Sequence, residues 1–488
     1  MKFAWLGKVA AVAVTVLVLA AVLARIGWLV DERQSYQWQA VQSVQQSHAG
    51  AQMLLGPVLQ RHCSEEWQVP VGEGKSRRLE SMRRDFTLSA VASTLGVDSD
   101  SQADTRYRGL FKVNGYQARV QMQAQWATLA ALQPAREHLG SRMDCKPTLV
   151  WLAATDVRGL RSAQISVVGA VPAEPLPVRP GTGRDGQSGG LHAELPGFGN
   201  DGSVPAAPLA LKVALEVVGT AQLSLVPAAE STQWTLRSDW PHPSFGGRFL
   251  PTKREVGHSG FTAQWAVSAL ATAAPREALS GGRMCTQPVA AEHGGYEPGG
   301  THVGNPAGAN RPCLDTLSVS FIDPVNPYTL SDRAIKYGLL FVLLTYTAVA
   351  LAEALARESV RRVHPVQYAL VGLALCFFFL LLLSLSEHLP FLQAYAGASA
   401  AVVLLLGLYA RHMLGSTRSG WLFGLGIALL YGLLYVLLLQ EQTALLIGSL
   451  GLFLALAAVM LLTRRLDWYR LTLPGSTEIA VAQPRVSQ

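Results

Sequence analysis

Between Lys336 and Tyr469 the chain carries five apolar runs, at 337–352, 366–386, 389–410, 419–440 and 442–463. The last four hold no Asp, Glu, Lys or Arg over 21 or 22 residues each. A helix rises about 1.5 Å per residue, so about 20 apolar residues cross roughly 30 Å of hydrocarbon. A water-soluble core has no need of four uncharged runs matched to that thickness. The pattern predicts a membrane-embedded helical bundle at 336–470, and everything upstream is tethered to it.

The connections carry a charge code. Arg357, Arg361 and Arg362 follow the first run, Arg411 and Arg418 lie between the third and fourth, and Arg464, Arg465 and Arg470 follow the fifth. The alternate connections hold Glu387 with His388, and Glu441, with no Lys or Arg. Arginine retained on the cytoplasmic side sets orientation, so the first run is expected to enter from outside and the C-terminus to end inside. The tail at 471–488 is polar and is expected to be disordered.

A sixth apolar segment opens the chain at 9–24, flanked by Lys2, Lys8 and Arg25. It reads either as a cleaved signal peptide or as an uncleaved anchor. The anchor is preferred. Apolar character continues through Ile26, Trp28, Leu29 and Val30, and Lys8 and Arg25 can extend their charges to the two interfaces. Residues 31–46 contain no Pro or Gly and read as a continuation of the helix. Lys2 and Lys8 place the N-terminus in the cytoplasm. The expected organisation is an anchor at 1–30, an extracytoplasmic domain at 31–335 and a five-helix block. That makes six transmembrane helices with both ends inside.

The extracytoplasmic stretch changes period. Residues 107–126 alternate apolar and polar, and 148–152, 163–168, 209–217, 222–226, 261–266 and 316–321 are short β-prone runs bounded by turn residues. Short strands without amphipathic helices between them predict a β-rich, antiparallel, sandwich-like domain. A helix is an alternative near 128–138, weakened by Pro134. Residues 175–208 and 280–312 are rich in Pro and Gly and read as long exposed loops.

Net charge is +7, but eight of the positive charges are the orienting arginines, so no nucleic-acid partner is expected. The partner the sequence does demand is a lipid bilayer. His242, His258, His293 and His302 are scattered, and no ligand spacing suggests a metal. Phosphate loops, nucleophile elbows and paired-carboxylate motifs are not visible, so neither a cofactor nor an enzyme is expected. Of the five cysteines, Cys63, Cys145, Cys285 and Cys313 fall in the extracytoplasmic stretch, where disulfides form. Three connectivities are open. Cys285–Cys313 is favoured because it would clip the second Gly-rich loop, which leaves Cys63–Cys145.

Ionisable residues inside a membrane block are functional candidates by default. Glu353 ends the first run of the block, one helical turn before Arg357, an i,i+4 pair. His364-Pro365 opens the next helix, and Glu387 and His388 close it. All lie near helix ends, so a structural role is preferred to a relay. Gly420, Gly424, Gly426, Gly448 and Gly451 read as close helix packing.

Several motifs carry a resemblance. They are Lys336-Tyr-Gly-Leu-Leu-Phe341, His364-Pro-Val-Gln367-Tyr368, Leu381-Leu-Leu-Ser-Leu-Ser-Glu387-His388, Leu429-Leu-Tyr-Gly-Leu-Leu-Tyr435 and Thr463-Arg-Arg-Leu-Asp-Trp-Tyr469. With Trp240-Pro-His242-Pro-Ser-Phe245, Phe249-Leu-Pro251 and Gly260-Phe-Thr-Ala-Gln-Trp265, they resemble the CreD family of bacterial inner-membrane proteins. Asp156-Val-Arg-Gly159 and Gly56-Pro-Val-Leu59 fit more weakly. The chain departs from the family at Gln60-Arg-His-Cys63, and the two Gly/Pro-rich stretches look like insertions. The resemblance implies a role in envelope integrity, with links to colicin tolerance and the β-lactam response, and it supplies no catalytic residue. Two functions follow as expectations. One is an envelope protein whose domain contacts a periplasmic or envelope protein, with Trp240, His242 and Phe245 as candidate residues. The other is a transporter or lipid-handling protein using Glu353, His364, Gln367, Tyr368, Glu387 and His388.

Overall fold

The computed structural model describes residues 2–71, 78–169, 175–183, 189–285, 313–321, 323, 326–355, 363–413, 417–440 and 444–464. The chain divides into two compact units, residues 1–36 with 325–488, and residues 37–324.

The helical unit begins with the first part of α1 (Lys2–Ser47) and continues through α3 (Pro327–Lys336), α4 (Gly338–Leu355), α5 (Pro365–Ser386), α6 (Phe391–Met413), α7 (Thr417–Leu439) and α8 (Ala444–Thr463), with a short α2 (Ala274–Leu279) belonging to the other unit. By length and composition α1, α5, α6 and α7 can each cross a membrane, and α3 with α4 form a further apolar pair bent by 44°. The apolar stretch Leu446–Leu461 of α8 is shorter. Leu19, Leu23 and Ile26 of α1 bury against a core that includes Tyr346, Phe378, Phe379, Tyr395 and Tyr431. Outward-facing Leu404, Leu405, Leu408, Trp421, Leu422 and Leu425 stay exposed, as lipid-facing side chains must.

The predicted packing role holds for Gly420 and Gly424 of α7 and not for Gly426. A methyl group at Gly424 would meet the Gly407 Cα of α6 at 3.5 Å, and one at Gly420 would meet the Arg411 Cα at 2.8 Å. At Gly426 nothing lies within 4 Å. Arg357, Arg361, Arg362, Arg465, Arg470, Glu441 and the tail at 471–488 lie outside the described residues.

The second unit is built on β-strands: β1 (Gln52–Val71), β2 (Arg78–Arg108), β3 (Phe111–Trp126), β4 (Arg142–Cys145), β5 (Thr148–Ala154), β6 (Leu160–Val167), β7 (Val178–Pro180), β8 (Gly190–Leu195), β9 (Leu209–Thr220), β10 (Gln222–Leu225), β11 (Ala229–Ser238), β12 (Pro243–Gly247), β13 (Lys253–Gly257), β14 (Gly260–Ser268) and β15 (Leu317–Phe321). Their pairing runs β12-β15-β10-β1-β2-β11-β14-β13, with β5, β4 and β8 extending from β1 and with β3, β9 and β6 extending from β2. Alternation fixes the faces. Along β3, Tyr116, Ala118, Val120, Met122, Ala124 and Trp126 are buried while the residues between them are exposed. Side chains from both ends of this order, including Leu59, Val150, Leu211, Val213, Trp234 and Trp265, share one core.

Three expectations are corrected. The sheet is not purely antiparallel, since β1 pairs parallel with β10 and β2 parallel with β11. Residues 175–208 are not one exposed loop. Within them β8 alternates Leu191, Ala193 and Leu195 into the core against β5, a short signal outweighed in sequence by the surrounding Pro and Gly. At 128–138 there is only one 3-10 turn, Ala130–Leu132. Most of the second Gly-rich stretch, 286–312, with His293 and His302, lies outside the described residues.

Cys63 is disulfide-bonded to Cys145, directly opposite it in the β1–β4 ladder, and Cys285 to Cys313. Cys376 is free and buried.

Candidate functional site

At one end of the helical unit four of the sequence candidates meet. The Lys8 ammonium of α1 donates to both Glu353 carboxylate oxygens, at 2.6 and 2.7 Å. The Tyr368 hydroxyl of α5 donates to Glu353 at 3.3 Å, and Lys8 stands 5.7 Å above the Tyr368 ring. Tyr346 of α4 donates its hydroxyl to the Tyr368 carbonyl. Beside them His364 and Gln367 form a capping box: Gln367 Oε1 accepts from the His364 amide, and the His364 Nδ1 accepts from the Val366 amide. This satisfies amides that the first turn of α5 leaves open. Glu353 is paired with Lys8, while Arg357, its expected partner, lies outside the described residues. Glu353 and Lys8 are each about a quarter exposed, at 22% and 28%. The pair binds α1 to α4, and Tyr368 adds α5.

At the other end of α5, Glu387 lies 3.6 Å from the Arg33 guanidinium, with its side chain only 11% exposed. His388 is exposed and the structure does not bring it into that pair.

In the β unit the Trp240 motif packs inward. Trp240 is buried, donates its indole N–H to the His242 carbonyl at 2.9 Å, and meets the Phe321 ring edge-on. Phe245 on β12 stands edge-on to Phe261 and Trp265 of β14. Trp265 stacks on Trp234 at 4.6 Å. Only His242 and Ser244 of the motif present exposed side chains.

The weaker Asp156-Val-Arg-Gly159 signal marks a clamp. Arg158 donates to the carbonyls of Gln45 and Gln46 in the last turn of α1, where carbonyls lack helical partners. Asp156 accepts from Arg158 and from the Gly50 amide. The Arg158 hydrogen bond is the main reason its carboxyl is held below the ordinary aspartate value. Gly159 has no room for a side chain between Gln52 and the Val218 carbonyl.

Two residues passed over in sequence lie in or beside the departing segment. Arg61 is buried and donates to the carbonyls of Gly199, Gly202 and Ser203, latching that loop. Glu65 is fully buried and accepts from the Ser141 hydroxyl at 2.7 Å, from the Glu137 and His138 amides, and from Arg84. The Ser141 bond first, then the amides and Arg84, hold its carboxyl below the ordinary glutamate value. Only their interruption of an apolar strand could have marked them. Among the described residues no group of His, Cys, Asp or Glu converges to hold a metal.

Residues 4–469 match the family described as inner membrane protein CreD. The inner membrane protein CreD of Escherichia coli (strain K12) is 33% identical over 461 residues, covering 94% of this chain and 92% of that protein. Among solved structures, an M1 zinc metallopeptidase from Deinococcus radiodurans aligns at 13% identity over 81% of this chain and 96% of that one. Its TM-score of 0.19 carries no argument about fold.

Proposed function

The chain belongs to the CreD family of inner membrane proteins, and from that premise we propose that it is a non-enzymatic envelope protein. In this reading six helices hold it in the membrane with both termini cytoplasmic. A sandwich-like β domain at 31–335 works in the periplasm by binding another envelope protein. The consequence is a contribution to envelope integrity, including colicin tolerance and the β-lactam response.

The observation that carries the reading is where the polar residues of the helical unit are spent. Glu353 is tied to Lys8 and Tyr368, His364 and Gln367 cap α5, and Glu387 faces Arg33. The Glu353 and Glu387 contacts hold helices to one another and the capping box closes the first turn of α5, which suits an anchor and leaves recognition to the β unit. The transporter alternative rests on the same Glu353 cluster.

The test is in-cell photocrosslinking from position 244, with the product identified by mass spectrometry. Ser244 is the right position because it is exposed, whereas Phe245 is packed against Trp265. A discrete protein adduct is expected. Adducts confined to the chain itself, with the protein present at normal level, would remove the interaction reading.

A further inference from the structure

The β2–β3 hairpin ends in a two-residue turn. Arg108 stands opposite Phe111, Tyr107 opposite Lys112, and Gly109 and Leu110 form the apex. Gly109 has φ +61°, which suits the first central position of a II′ turn, where glycine is favoured. Leu110 is consequently carried to the apex and is 55% exposed, next to Tyr107 at 69%. Arg106, Arg108 and Lys112 are exposed around them. Arg106 is paired with Asp104 and Lys112 with Asp323, while Arg108 has no carboxylate partner among the described residues. Leu270 offers the contrast: it is fully exposed at another turn, with no charged residue beside it in sequence.

An exposed tyrosine and leucine framed by cations is a surface for a lipid headgroup layer. The ring and the aliphatic chain enter the interface, and guanidinium groups meet phosphate. The placement of the tip agrees with this. The Lys112 ammonium donates to Asp323 at 3.0 Å and stands over the Trp240 ring at 5.6 Å. Asn114 donates to the Phe321 carbonyl. The hairpin is therefore fastened, just behind its apex, to the last stretch of the β unit. Asp323 precedes Pro327, the first residue of the apolar helices that follow, by four positions, a covalent reach of about 14 Å. His48, the residue after α1, also senses the tip: burial first, then the Arg106 and Arg161 charges, push its imidazole below the ordinary value. The second covalent connection to the helical unit thus begins beside this hairpin, while the first is α1 itself, which continues as helix to Ser47.

We propose that the hairpin tip, residues 106–112, seats on the bilayer that holds the helices, with Tyr107 and Leu110 in the interface and Arg108 on the phosphate of an anionic phospholipid. The proposal goes beyond the interaction reading and holds whether or not a protein binds near Ser244.

The test uses the full chain in nanodiscs, with Leu110→Cys in a Cys376→Ala background carrying an environment-sensitive fluorophore. The lipids carry a quencher at the top of the acyl chain. Leu270→Cys is the control. It follows β14, whose Ser268 is level with Thr94 of β2, about 46 Å of strand from Arg108. In phosphatidylglycerol discs the Leu110 probe is expected to shift to the blue and lose roughly half its emission to the quencher, while the Leu270 probe loses almost none. Adding Arg108→Gln, or changing to phosphatidylcholine, is expected to reduce that quenching by about half or more. Quenching at Leu110 no greater than at Leu270 overturns the proposal. A blue shift without quenching also overturns it, because it places a protein surface on the tip instead.

Discussion

Glu353 shows how a carboxylate is made tolerable inside an apolar helix. In sequence its visible partner is the arginine one turn on, because spacing reveals only neighbours on the same helix. The structure brings Lys8 to both of its oxygens across 345 residues of chain, a pairing that no local pattern encodes. The two side chains keep partial solvent access, so breaking the pair is expected to cost about 1–3 kcal/mol, less than a fully buried pair. Lys8→Glu or Glu353→Lys alone should lower the thermal unfolding temperature of the purified chain in detergent, and the double exchange should recover most of the loss. The exchange also separates the two functional readings. A doubly exchanged chain that regains both stability and the envelope phenotype marks the pair as a tie between helices. Stability restored without the phenotype would favour a relay or transport role. Trp240 teaches a related lesson. Its motif was legible as distinctive, but its burial against Phe321 was not, because a residue's neighbours in the core come from strands distant in sequence.

At the scale of elements, period was legible wherever apolar side chains carried it. β3, β9 and β14 alternate cleanly and were found. The second half of β2 was not, because its inward positions include Ser99 and Ser101, which are small and polar although nearly fully buried. Ser99 is there to accept the Trp234 indole N–H, a requirement that only the folded neighbour makes visible. The glycines of α7 were legible as packing residues but not individually, since a small-residue pattern does not tell which face meets a neighbour. The structure separates them and so allows a sharp comparison. Gly424→Ile forces a branched side chain against Gly407 and is expected to destabilise the α6–α7 pair by about 1–3 kcal/mol. Gly426→Ile meets open space and is expected to stay within about 0.5 kcal/mol of the parent. Thermal unfolding in detergent, followed by loss of helical signal, distinguishes them. Equal effects at the two positions would mean that the close approach of α6 and α7 does not set the stability of the bundle.

For the whole molecule, the division into a helical and a β unit was legible because two periods and two solvents leave different compositions. The membrane runs appear in the structure as apolar helices; the first of the block, 337–352, is α4, and α3, which the sequence reading left outside the block, precedes it at a bend of 44°. That bend has no sequence signature beyond Tyr337-Gly338 between the two helices. Orientation rests on charge alone: eight arginines lie at alternate connections, and Lys2 and Lys8 precede the apolar run of α1. Counting from either end leads us to propose that the β unit lies outside, and the two counts share no residue. Cysteine accessibility tests this directly. In spheroplasts of cells expressing the full chain with Cys376→Ala, Leu270→Cys should react with a membrane-impermeant maleimide, since that side chain is fully exposed in its turn. Arg418→Cys, in the first turn of α7, should react only after permeabilisation. Reaction of both from outside would imply an even number of crossings between them. The bent α3–α4 pair, which lies between them, would then have to be re-entrant, and the six-helix count would fall with the orientation.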